Sequence, residues 1–215
     1  MVAALTLAVL LASAPDTVRP SVRVCGFDVS GSMFALWKDA RAVCEVELMT
    51  AQPGDVVVVR AIGANGYSSG EIVRVKLPPA APLCSTFDTR CRALSASASA
   101  ALAQRRRAAC TVLRAFVAER AGATDLWGFV QTASDEYASR PGMSRRLVLA
   151  TDGDWTVQQQ VNADLSGTEA FVVLLRTSNS VAGAQKARQR WVDGLARLKA
   201  AGVTVRTHAE GPRCS

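Results

Sequence analysis

The chain has a single histidine among its 215 residues, and none of its cysteines is spaced as a CxxC pair. A structural Cys/His zinc site therefore lacks its usual ligands. The same shortage weakens a catalytic reading. Ser30 and Ser32 lack a GxSxG elbow, His208 is remote from them in sequence, and an aspartyl phosphatase built on Asp28 would want a second aspartate where Ser30 stands. The expectation is a protein that is not an enzyme, with a solvent-facing His208. Aromatic residues are scarce at 6%, and none interleaves with the densest basic cluster, Arg105 to Arg107. The formal charge of +7, with 25 basic against 18 acidic residues, thus excludes little by itself. Without aromatic platforms for bases, the arginine triplet reads as a solvated helix face and no nucleic-acid partner is expected.

Long apolar runs are also missing. Val2 to Ala14 is the main one, and it is shorter than the about 20 residues that span a bilayer. It ends in Leu11-Ala12-Ser13-Ala14, small residues of the kind that precede signal-peptide cleavage, so residues 1–14 read as a leader and the protein as secreted or periplasmic. An uncleaved apolar anchor is the other reading and the one route to a membrane. If the segment is no signal at all, the protein is cytoplasmic. Six cysteines are present. Cys84 and Cys91 bracket a short loop and form the pair favoured in an oxidising compartment, with the rest of the connectivity open.

Along the chain, apolar runs alternate with helical periodicity. Strands are expected at Val22–Phe27, Val56–Ile62, Arg146–Thr151, Ala170–Leu175 and Val203–Arg206, with Glu71–Leu77 alternating as a half-exposed, antiparallel edge strand. Helices are expected over Phe34–Met49, Arg92–Arg120 as one or two pieces closed by Gly122, Leu126–Ala138, and Gly183–Ala201 capped by Gly202. This order predicts an α/β fold: a doubly wound, mainly parallel six-stranded sheet with helices on both faces and one antiparallel edge strand. Residues 21–208 read as one domain, with 63–99 as a hairpin and loop insertion.

Ligands of such sheets bind beyond the carboxyl ends of the strands. Three polar segments fall there: Asp28-Val29-Ser30-Gly31-Ser32, Gly122-Ala123-Thr124-Asp125 and Thr151-Asp152-Gly153-Asp154. Their side chains are hard oxygen donors, the ligand chemistry of magnesium, calcium or manganese. Each segment has a plainer reading when taken alone. Ser30 to Ser32 and Thr124-Asp125 could cap helices, and Asp152-Gly153 could be only a turn.

Together, in this order, they resemble the von Willebrand factor A domains and their metal-ion-dependent adhesion site, a motif of Asp-x-Ser-x-Ser, then Thr, then Asp. The resemblance implies that Asp28, Ser30, Ser32, Thr124 and Asp152 hold Mg2+, with Mn2+ or Ca2+ as alternatives. It further implies that a protein partner completes the shell with an Asp or Glu carboxylate. Asp154 would be a hydrogen-bond acceptor behind the ligands. An accessory or assembly subunit with a structural metal is the competing function. Trp127 and Trp155, each three residues past a proposed ligand, are candidates for the rim, while Trp37 and Trp191 read as packing residues.

Overall fold

The computed structural model describes residues 19–67, 70–153, 161–175 and 180–214. Residues 1–14, Asp154 and Trp155 lie outside them. Six strands form one sheet in the order β3-β2-β1-β4-β5-β6. They are β1 (Ser21–Asp28), β2 (Val56–Ile62), β3 (Glu71–Lys76), β4 (Ser144–Thr151), β5 (Thr168–Leu174) and β6 (Gly202–Arg206). Every pairing is parallel except β2 with β3, which is antiparallel and places β3 at the edge. The expected fold class is therefore the observed one.

The four consecutive valines of β2 explain its central place. Val57 and Val59 point into one core and Val56 and Val58 into the other, so the strand is buried on both faces and shows no polar alternation. In β1, Cys25 and Phe27 face the first core and Val22 and Val24 the second. Helices α1 (Trp37–Thr50) and α2 (Thr89–Ala115) cover the first face. Helices α3 (Leu126–Ala138) and α4 (Val181–Arg197) cover the second. Gly26 admits the Phe129 ring to the sheet: a Cβ there would lie 2.6 Å from both Phe129 Cζ and Ile62 Cδ1.

Three disulfides tie the layers. Cys25–Cys44 joins β1 to α1, Cys110–Cys214 joins α2 to the C-terminal segment, and Cys84–Cys91 closes the loop before α2, the pair expected from sequence. No helix among the described residues is long and apolar enough to cross a membrane.

Two helix ends differ from expectation. The long helix stops at Ala115 and not at Arg120, because Phe116 leaves helical geometry (ψ 130°). Its ring packs edge-on against Phe27 and Trp37 at 5.8 and 6.5 Å. Gly122 is thus not the cap. Likewise α4 ends at Arg197 through Lys199, whose φ of 65° is the left-handed turn expected of Gly202, and Gly202 opens β6 instead.

Candidate metal centre

At the carboxyl ends of β1, β2 and β4 the three polar segments meet. Backbone bonds fix the meeting: Val29 N–H donates to Ile62 O at 3.1 Å, Ala121 N–H to Val29 O at 3.1 Å, and Asp125 N–H to Gly63 O at 2.9 Å. The loop after β1 is thereby lashed to the end of β2 and to the segment entering α3, 90 and more residues away. Register alone would not achieve this, since strand pairing ends where the loops begin.

Asp28, the last residue of β1, is fully buried. Its Oδ1 accepts from Ser30 N–H at 2.8 Å and from the Thr124 hydroxyl at 3.2 Å, while Oδ2 accepts from the Thr151 hydroxyl at 3.0 Å. Ser30 Oγ and Ser32 Oγ are 3.3 Å apart. Asp152 lies close enough for its charge to act on Asp28. Burial pushes the Asp28 carboxyl above the usual carboxylate range, and Asp152 pushes it further. The bonds from Ser30 and Thr151 pull the other way without reversing the balance. The two carboxylates, Asp28 and Asp152, thus lie near one another at the ends of β1 and β4.

Exposure is graded across the cluster. Asp28, Ser30, Thr124 and Thr151 are buried, Asp152 is half-buried and Ser32 is exposed, so the cluster opens to solvent on the Ser32 and Asp152 side. Phe34 is exposed just beyond it. Arg120 borders the opening: a Cβ on Gly31 would sit 3.3 Å from Arg120 Nη2.

The plainer readings of these segments part ways here. No side-chain bond caps the 3-10 turn Phe34–Leu36 or α1, so Ser30 and Ser32 are not caps. Thr124 is not one either, its hydroxyl being spent on Asp28. Asp125 is the N-cap of α3, accepting from Gly128 N–H at 2.8 Å, and its other oxygen accepts from Gly66 N–H at 3.0 Å. Gly153 does turn the chain, with φ of 88°. The donor set fits a hard divalent cation: two carboxylates and three hydroxyls, all oxygen. Among the described residues no three His, Cys, Asp or Glu cluster as ligands, so the hydroxyls are indispensable to any such site.

Sequence reasoning placed Thr151 in the third polar segment without giving it a role, and the structure makes its hydroxyl a donor to Asp28 Oδ2. Trp127 does not rim the opening. Its ring lies 6.0 Å from that of Trp191, and a Cβ on Gly194 would come within 2.8 Å of it, so it is packed between α3 and α4. Trp191 is fully buried and Trp37 packs on Phe116. His208 is exposed and bonds Glu210 at 2.9 Å. The arginine triplet is only partly a solvated face, since Arg106 donates to the Ala51 carbonyl.

No protein-family model and no curated protein matches the chain in sequence. Solved structures match in fold. A von Willebrand factor type A protein from Catenulispora acidiphila aligns over 87% of this chain and 38% of its own, with 16% identity and a TM-score of 0.54. The pilus adhesin SpaC of Lactobacillus rhamnosus GG, in its open conformation, aligns over 87% of this chain and 28% of its own, with 14% identity and a TM-score of 0.50. This chain thus spans less than half the length of either. At these identities the likeness is one of fold, and the fold is of the von Willebrand factor A type.

Proposed function

We propose that the chain is a metal-dependent protein-binding module: Asp28, Ser30, Ser32, Thr124 and Asp152 hold Mg2+, or Mn2+ or Ca2+ in its place, and an Asp or Glu side chain of a partner protein completes the shell. The reading is supported above all by Asp28, a fully buried carboxylate set near a second one, Asp152. Burying a charge beside a like charge is unfavourable unless a cation compensates both.

Bound there, a hard cation supplies a Lewis-acidic centre with a position for an incoming oxygen. Asp28 and Asp152 neutralise a divalent charge, while neutral hydroxyls leave the centre electrophilic enough to attract a third carboxylate. Thr151 orients Asp28 by holding Oδ2. Arg120, exposed beside Gly31, adds positive potential at the opening and favours an acidic partner. No general base is required, so the protein acts by binding and not as an enzyme. Three disulfides fit an oxidising compartment and hence a secreted or periplasmic protein.

The test is capture of partner proteins from the source organism's extracellular or periplasmic fraction, with and without chelator. Loss on chelation, rescue by magnesium and inhibition by a free acidic peptide are expected. Capture indifferent to chelation would leave the metal, if bound, a purely structural role.

A further inference from the structure

The disulfide-closed tip before α2 is an apolar knob held well away from the sheet. Pro78 O accepts from Gly54 N–H at 2.8 Å, so the chain leaves β3 at the pole where β1 and β2 begin, opposite the candidate metal centre. Helix α2 then returns to that pole. Arg106 donates to Ala51 O at the end of α1, and the buried residues of α2 are Ala109, Cys110 and Leu113. Its first turns, Thr89 to Ala101, contribute none of them. From Leu102, the first residue packed against the core, back to Cys91 the helix extends about 16 Å at the α-helical rise. The arm ends in the Cys84–Cys91 disulfide and the Asp88 cap, which accepts from Cys91 N–H at 2.8 Å.

On this tip Leu83 is 97% and Phe87 93% exposed, and Leu94 is 58% exposed one turn along. Large apolar side chains held rigidly in water at the end of a projection mark a surface that something else covers. The charge around them says what. Between Pro78 and Ala101 the charged residues are Arg90, Arg92 and Asp88, and Asp88 is occupied in the cap. Apolar residues at the tip with arginines one turn behind match an anionic bilayer, with acyl chains outermost and phosphates next.

We propose that the Cys84–Cys91 tip docks on an anionic lipid surface, inserting Leu83 and Phe87 among the acyl chains with Arg90 and Arg92 on the headgroups. The opposite pole then faces away from the bilayer. Docking is independent of the metal-binding reading and survives its failure.

The experiment is flotation of the full chain with phosphatidylcholine vesicles, with and without phosphatidylglycerol, for wild type, Leu83→Asp/Phe87→Asp and Arg90→Glu/Arg92→Glu. Wild type should float with anionic vesicles. The apolar double variant should partition roughly ten-fold or more less well, since each large side chain withdrawn from an apolar phase is worth at least that. The arginine variant should lose the preference for phosphatidylglycerol. All three should melt alike, because the four side chains are exposed. Equal flotation of wild type and the apolar variant overturns the proposal, whether neither floats or both do. So does tip-dependent self-association in sedimentation without vesicle binding, which would assign the knob to a second copy of the chain.

Discussion

Replacing Asp28 by Asn should make the metal-free protein at least as stable as wild type while removing its response to magnesium. In the structure the Asp28 carboxylate is fully buried, and it answers to three donors. The amide is nearly the same size. Its oxygen can keep the Ser30 and Thr124 bonds, and its NH2 would face Thr151 Oγ1, a hydroxyl with lone pairs to accept. What disappears is a desolvated negative charge beside Asp152, whose joint effect is to raise the carboxyl above its ordinary range. A raised folded-state value means that the folded protein holds that proton more tightly than the unfolded chain. The associated stability is present at pH below the unfolded value and is lost as pH rises through the folded one. Metal-free wild type should therefore lose stability across that window, and Asp28→Asn should not. With magnesium the order reverses. At 100 times its Kd, a ligand bound only by the folded state stabilises by about 2.7 kcal/mol. In a domain of this size that is roughly 5–11 °C in Tm. Thermal melts of both proteins in chelator and in a magnesium series are the assay. An equal magnesium shift in both would refute the ligand role of Asp28, and a metal-free Asp28→Asn that melts far below wild type would refute the account of its burial.

Further predictions concern the supports. Thr151→Val leaves Asp28 Oδ2 without its donor and Gly153 N–H without its acceptor. It should cost about 1–3 kcal/mol in a denaturant melt and weaken magnesium binding in calorimetry. Gly66→Ala places a Cβ 1.9 Å from the Asp125 carbonyl, a backbone atom that cannot yield, and should destabilise by about 1–3 kcal/mol or more. It should also loosen the start of α3 that presents Thr124. Gly122→Ala, with nothing within 4 Å, is its silent control. Replacing Cys110 and Cys214 together by Ala opens a sequence separation of 104 and should cost about 4–5 kcal/mol, read as a fall in Tm. The same change at Cys84 and Cys91, only 7 apart, should cost less.

Much of the fold was legible because its determinants are local. The valine run of β2, the alternation of β3 and the Ala/Leu periodicity of the helices each record how many faces an element buries, and that sets strand, edge or helix directly. The oxygen donors were legible because a polar residue just past an apolar strand has one place to go in a parallel sheet, and their order along the chain sets which strand ends carry them. Sequence alone thus determined the layers and the chemistry available at one pole. Tertiary structure decided what no local pattern encodes. Cys25 pairs with Cys44 because α1 lies across β1, and Cys110 finds Cys214 across the chain. Phe116 breaks a helical pattern because a slot beside Phe27 and Trp37 gains more from its ring than another helical turn would. Thr151 becomes a support of Asp28 only when β1 and β4 are neighbours, and the first turns of α2 add nothing to the core because no element among the described residues packs against them. In each case the deciding energy is a contact between residues distant in sequence, and a contact of that kind exists only once the chain has closed on itself.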